Sequence, residues 1–170
     1  MNKNIWILHH YATPPSMSGM IRPYEFSKQL KQHGYNSTIF SSAYLHYTGE
    51  NLISDKKLYM TYLYEDIPFV FIRSAEYTSN GLSRIRNMFG FAYNLIRTAK
   101  GIAKKDGNPD IIYASSPHPL TLIAGIMLGR KFDVPCISEI RDLWPEAIFS
   151  FNKARENSLL GKILVAGEHW

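Results

Sequence analysis

The sequence predicts an α/β protein in one domain spanning 1–170: a mostly parallel sheet with helices on both faces, a three-layer α/β/α sandwich. Three observations carry this expectation. Short β-type runs alternate with helical stretches, the order that joins parallel strands through crossover helices. Glycine and proline punctuate the junctions between those stretches. With 45% hydrophobic and 14% aromatic residues, the 170-residue chain has material for one sizeable core.

Ile5 to His9 reads as the first strand, followed by a loop with Pro14, Pro15 and Gly19. A helix from about Met20 to His33 comes next, with Pro23 in its first turn, where a missing N–H is harmless. Gly34 is placed to end it in the left-handed conformation. Asn36–Ser42 is a second strand, and residues 43–57 form a loop rich in Tyr, His, Asn and Gly. Leu58–Tyr64 and Phe69–Arg73 flank Glu65-Asp66-Ile67-Pro68 as a hairpin or a bent strand.

The longest periodic stretch holds Leu82, Ile85, Phe89, Ala92, Ile96, Ala99 and Ala103 at three- and four-residue intervals, widened by Met88, Leu95 and Ile102. That spacing predicts a helix from Gly81 to Lys105, its apolar stripe covering the sheet, ended by Gly107 and Pro109. Asp110–Ser115 is a strand and Leu120–Lys131 a helix. Val134–Ile140 is a buried strand, and Ser158–Gly167 begins a further helix.

Charge and composition narrow the function. The single cysteine, Cys136, has no intrachain partner and reads as a buried thiol, so nothing points to an oxidising compartment. The apolar run Ile5–Leu8 is too short for a secretion signal, and no stretch approaches the ~20 apolar residues of a membrane span. A cytoplasmic protein is expected. Its net charge is +5, and seven cations face one acid, Glu76, between Arg73 and Lys105. Such a local surplus calls for an anionic partner. Two readings of the basic helix stand: a solvated outer face, or a face docked on an anionic membrane surface through Arg84, Arg86, Arg97, Lys100 and Lys104.

Three loops follow expected strands, and in a parallel sheet all three open on one edge, where such sheets bind ligands. The first, His9 to Met20, brings Ser18 and Gly19 before a helix, where backbone N–H groups can meet a phosphate. It is neither a GxGxxG fingerprint nor a P-loop. The second, Ser115-Ser116-Pro117-His118-Pro119, holds a histidine between two prolines, suited to proton traffic or to bonding sugar or phosphate oxygens. A structural loop histidine is the alternative. The third, Glu139 to Glu146, crowds Arg141, Asp142, Trp144 and Glu146 together. Arg141 suits a carboxylate or phosphate, Asp142 a hydroxyl, and Trp144 the face of a sugar or lipid. Its alternative is an Arg141–Glu146 structural pair beside a core tryptophan. Zinc clusters, HExxH, GxSxG and an RNA-binding aromatic pattern are all missing from the sequence. No metal, no other cofactor and no nucleic-acid partner is expected.

The loop from His9 to Gly19, the phrase Ile21-Arg22-Pro23-Tyr24-Glu25-Phe26, the phrase Ala114 to Leu120 and the string Glu139 to Glu146 together resemble bacterial family-4 glycosyltransferases. Within that family they are similar to the enzymes that build capsular, O-antigen or exopolysaccharide units. The resemblance runs over essentially the whole chain and implies the N-terminal, acceptor-side, Rossmann-like half of a GT-B fold. The donor-binding Glu-x7-Glu motif of the C-terminal half has no counterpart here, which implies a partner domain outside residues 1–170 and no activity for these residues alone. The implied reaction is retaining transfer of a sugar from a nucleotide-sugar to a polyprenyl-diphosphate-linked saccharide, without metal, at the inner face of the membrane. Together the loops and the resemblance make Ser18, Gly19, Arg22, Ser115, Ser116, Arg141, Trp144 and Glu146 the expected substrate- or phosphate-binding residues, and Asp142 and His118 the candidates for chemistry. Ser18 stands where many members have a glycine, and Ser115 or Ser116 where many have a histidine, with His118 slightly further on. A different class of function also fits: a non-catalytic module docking a lipid-linked acceptor for a separate catalytic subunit.

Overall fold

A computed structural model describes residues 3–78 and 81–141. The chain forms two compact units, Met1–Glu139 and Ile140–Trp170; of the second, only Ile140 and Arg141 are among the described residues. Among the described residues nine elements follow in order: β1 (Asn4–Leu8), α1 (Arg22–Gln32), β2 (Asn36–Ser42), β3 (Tyr59–Tyr64), β4 (Ile67–Ile72), α2 (Leu82–Asp106), β5 (Ile111–Ser116), α3 (Pro119–Phe132) and β6 (Cys136–Ile140). The six strands make one sheet, ordered β3-β4-β2-β1-β5-β6. β1 pairs in parallel with both β2 and β5, and β2 with β4, while β3 runs antiparallel to β4. The α/β class and the mostly parallel sheet therefore agree with the sequence.

Alternation along the central strand divides the core. Trp6 and Leu8 of β1 join a cluster with Phe91, Leu95, Ala99 and Ile102 of α2 and Leu128 of α3. Ile5 and Ile7, facing the other way, join Tyr24 of α1 with Ile39, Phe69 and Phe71. This period of two follows from the pleat. Trp6 is 1% exposed and its ring meets Phe40 at 4.6 Å and Phe132 at 5.3 Å.

Local chemistry explains the junctions. Gly34 follows α1 with φ of 80°, a conformation that disfavours a Cβ. The β3–β4 hairpin turns on Glu65 and Asp66, both with positive φ (45° and 63°), the two-residue turn whose twist matches its strands. The bend expected over residues 65–68 is thus shorter, because Ile67 and Pro68 already pair with Tyr64 and Leu63.

Three expectations are corrected. Leu82, Ile85 and Phe89 do not cover the sheet; they are 84%, 45% and 58% exposed. The buried arc of α2 runs instead through Asn87, Met88, Phe91, Leu95, Thr98 and Ile102. Apolar residues surround so much of this helix that periodicity alone could not choose the inward side. Second, among the described residues β6 is the outer strand beside β5, and Ile137 and Ile140 are 52% and 64% exposed; an apolar run does not distinguish a central strand from an edge. Third, Cys136 opens that strand only half-buried. The helix expected over 158–167 lies outside the described residues.

α3 approaches the sheet through glycine. A Cβ built at Gly125 would fall 2.5 Å from the Ala114 Cβ and 3.2 Å from the Cys136 Sγ. The Ala114 methyl belongs to β5 and has no rotamer to escape into, so helix and strand would have to part. Gly125→Val is expected to destabilise the protein by about 3 kcal/mol, the overpacking range. Urea denaturation measures this, and an unchanged midpoint would contradict so close a contact.

Candidate functional site

The segments leaving β1, β2, β4 and β5 at their carboxyl ends are joined by one buried line of hydrogen bonds. His10 lies two residues beyond β1, and His118 two beyond β5, at the N-cap of α3. His118 Nε2 and His10 Nδ1 are 2.9 Å apart, and His10 Nε2 and Asn87 Oδ1 2.7 Å. The Asn87 amide nitrogen donates to the Ala75 carbonyl and, at 3.0 Å, to Ser74 Oγ. Ser74 Oγ is 2.7 Å from Ser42 Oγ, and the Ser42 hydroxyl donates to the Tyr44 carbonyl at 3.0 Å.

The end of this line sets the direction of every bond in it. A carbonyl only accepts, so Ser42 gives its proton to Tyr44 and accepts from Ser74, which accepts from Asn87. Asn87 turns its nitrogen to the Ala75 carbonyl and leaves only its oxygen for His10, which must hold a proton on Nε2. His10 Nδ1 is then an acceptor, and His118 carries its own proton on Nε2. What remains at the head of the line is His118 Nδ1, a bare acceptor, buried and without a hydrogen-bond partner among the described residues. In the first turn of α3, Thr121 Oγ1 is likewise buried and unpartnered among them.

Electrostatics agree with these neutral tautomers. Burial pushes the His118 imidazole down to about 3, and the Arg84 charge adds to the effect. Burial also holds His10 well below the ordinary histidine value, helped by His118 beside it. Both rings are uncharged near neutrality, so His118 presents a lone pair and not a second proton.

Backbone bonds fix this loop. Ser42 N donates to the His10 carbonyl at 2.9 Å, and Ser41 Oγ donates to the carbonyls of His10 and Ala12 at 3.0 and 2.6 Å. Thr13 N to Met20 O, at 3.2 Å, and Met20 N to Tyr11 O, at 3.3 Å, close the turn that contains Ser18 and Gly19. Gly19 lies against Thr13, where a Cβ would stand 2.4 Å from Thr13 Oγ1. Its glycine is therefore required by loop packing.

Around the histidines stands a ring of aromatic and basic groups. Tyr11 stacks on His46 at 4.9 Å and sets its ring edgewise to His10 at 4.6 Å. Tyr77 OH lies 2.6 Å from His46 Nδ1. Arg84 Nη2 donates to Tyr11 OH at 3.1 Å, so this cation, expected among the membrane-facing ones, turns inward. Burial first, and Arg84 second, lower the His46 pKa.

A second polar group joins β5, β6 and α1. Arg22 grips Glu139 through both terminal nitrogens, at 3.0 and 2.5 Å, and Ser115 Oγ donates to the same carboxylate at 2.5 Å. Arg22 holds the Glu139 carboxyl at about 2 against the opposing pull of burial, and Ser115 reinforces it.

Of the residues expected at a site, His118, Ser115, Arg22, Ser18 and Gly19 thus lie in the loops and helix starts at the carboxyl edge, and Ser116 is buried at the end of β5. Arg141 is exposed beyond β6. Asp142, Trp144 and Glu146 lie outside the described residues. Arg86, Arg97, Lys100 and Lys104 are all exposed on α2. Sequence reasoning missed Asn87, Ser74 and His46, and it included His10, Tyr11 and Glu139 only as members of their loops, without a role. One signal was available: Asn87 precedes Phe91 and Leu95 by one and two helical turns, a polar group on an apolar arc that needs buried partners.

A hollow of about 650 Å³ opens at the opposite edge, lined by Asn4, Asn36, Lys31, Asp66 and Asp110 among others. Three of its charges are engaged with protein: Lys31 pairs with Asp66 at 3.4 Å, and Asp110 accepts from Asn4 N at 2.7 Å. The carboxyl edge is the better candidate because an uncommitted buried acceptor and perturbed histidines meet there. No protein-family model matches this chain, and no curated protein matches it.

Proposed function

We propose that residues 1–170 are the acceptor-side half of a retaining glycosyltransferase that moves a sugar from a nucleotide-sugar to a lipid-linked saccharide. In this reading the sheet and its helices are the Rossmann-like α/β/α sandwich of a GT-B fold. The observation that carries it is the meeting of the loops after β1 and β5 at His10 and His118, on the edge where a parallel sheet takes its ligand, with His118 Nδ1 uncommitted.

Sugar transfer needs hydroxyls held in one orientation and developing negative charge neutralised. His118 Nδ1 accepts from a sugar hydroxyl and cannot donate, because Asn87 and His10 dictate the tautomer. Arg84 and the N-terminus of α3 supply positive potential towards phosphate oxygens without a metal. Tyr11 and His46 offer aromatic faces for a sugar ring. Ser115 and Arg22 shape the adjoining wall through Glu139. Asp142, Arg141, Trp144 and Glu146 belong to the same reading as substrate contacts.

The nucleotide-sugar is assigned to a C-terminal domain outside these residues, so residues 1–170 alone transfer nothing. The full-length protein, given radiolabelled nucleotide-sugars and a polyprenyl-diphosphate-linked saccharide, is expected to lengthen the saccharide with retention at the anomeric carbon. Absence of transfer across the common nucleotide-sugars, or inversion at that carbon, would sink the proposal.

A further inference from the structure

We infer that the hollow at the amino ends of the strands is a binding site for a neutral saccharide, separate from the histidine edge. Its volume of about 650 Å³ lies within the ~300–1,000 Å³ of small-molecule sites. The first residues of β1, β2 and β4 bound it, together with the end of α2 and part of α1. Strand β2 begins polar there: Ser37 and Thr38 are 9% and 8% exposed, and its apolar run starts only at Ile39. Buried hydroxyls are costly unless something bonds them. Ser27 of α1 lines the same hollow and is fully buried, yet its Oγ has no hydrogen-bond partner among the described residues. A helical serine can bond a carbonyl one turn back; this one does not.

The charges select the class of ligand. Lys3, Lys31, Asp66, Asp106 and Asp110 line the hollow, two cations against three acids. A phosphate or carboxylate would meet the acids and a cation would meet the ammonium groups, whereas a neutral ligand meets neither penalty. The acids do not gather into a metal-binding group among the described residues. Asp106 is the last residue of α2, where a carboxylate opposes the helix dipole, so helix stability does not account for it. A sugar hydroxyl both donates and accepts, so one ring can satisfy carboxylate, ammonium and hydroxyl partners together. Tyr35, 37% exposed, adds an aromatic surface for the sugar's C–H groups. A flat base would ask for two aromatic walls, and Tyr35 is the single aromatic residue here among the described ones.

The hollow and the histidine edge lie at opposite ends of the sheet. The length of β1 from Asn4 to Leu8 separates them by about 13 Å. None of the lining residues belongs to the buried line from Ser42 to His118. Both places can be filled at once, and the inference does not depend on the function proposed above.

Titration of the full chain with maltotriose, cellotriose and chitotriose, followed by amide NMR, tests it. At least one of these neutral saccharides is expected to shift the amides of Ser37, Thr38 and Gly107 saturably, while those of His10 and Ser116 stay in place. Asp106→Ala should weaken that binding about ten-fold, as loss of one hydrogen bond to a charged group does. Its thermal melting should not fall, because an acid leaves the helix end. Thr61→Tyr changes an exposed position of β3 that also lines the hollow, keeps strand propensity, and should abolish binding by filling the space. Inorganic phosphate and galacturonate should leave these amides unmoved. Silence with all three saccharides would overturn the inference, as would parent-like binding by both variants or phosphate binding at the same amides. Shifts confined to the histidine edge would overturn it too while favouring the transferase, so the two readings fail separately.

Discussion

Acidification through the ordinary histidine range is expected to unfold this protein cooperatively. His10 and His118 are 0% and 1% exposed and sit neutral in the fold. Their folded pKa values lie far below 6.5, at about 3 for His118, while in the unfolded chain each regains its ordinary value. As the pH falls below 6.5 the unfolded chain therefore takes up protons that the native state refuses. Each histidine withdraws on the order of 1.4 kcal/mol per pH unit until its folded pKa is reached. Together they withdraw on the order of 3 kcal/mol per pH unit, so a domain at the lower end of the ordinary range, roughly 5–15 kcal/mol, is exhausted about two units below 6.5, before the folded value of His118 is reached. Glu139 acts with the same sign lower down. Its folded pKa of about 2 contributes stability above 4.5 that is lost as pH falls towards 2, a small amount because Arg22 is largely exposed to screening solvent. Urea midpoints by circular dichroism across this range measure the effect. A midpoint that stays constant from neutrality to mild acid would mean that the two rings are not neutral and buried as described.

Under the proposed transferase function, replacing His118 by glutamine in the full-length protein is expected to lower sugar transfer about 100-fold while the domain stays folded, the lower end of what a positioned polar group contributes. The glutamine amide reaches the place of Nε2, so it can still donate to His10 and keep the buried line intact. It has nothing at the place of Nδ1, the one acceptor the line leaves uncommitted. His118→Asn is the complement: its carbonyl falls near Nδ1, its bond to His10 is lost, and it should keep more activity at lower stability. If glutamine turns over within about two-fold of the parent, His118 serves the fold and does not touch the sugar. Parallel melting curves separate a lost contact from a lost fold.

These two expectations differ in how much of them was readable beforehand. His118 was visible as a histidine between two prolines after a strand. Its depth of burial was not, since that depends on His10, 108 positions earlier, and on Asn87 between them. Arg22 and Glu139 are 117 positions apart, and each alone reads as an ordinary surface charge. Arg84 looked like its neighbours Arg86 and Arg97 until Tyr11 was found beside it. Pairings of this kind have no local signature, because they depend on which strands become neighbours.

The sequence by itself determined the elements. Pro23 and Gly34 bracket α1, alternation sets the two faces of β1, and the run of short strands and helices dictates a mostly parallel sheet, because each of these rests on backbone preferences acting over a few residues. Only the tertiary structure decided which arc of α2 is buried, that β6 is the outer strand among the described residues, and that two histidines, an asparagine and two serines point their protons in one direction. Those outcomes turn on competition among surfaces for one core and on polar groups that, once dehydrated, must find partners across the whole chain.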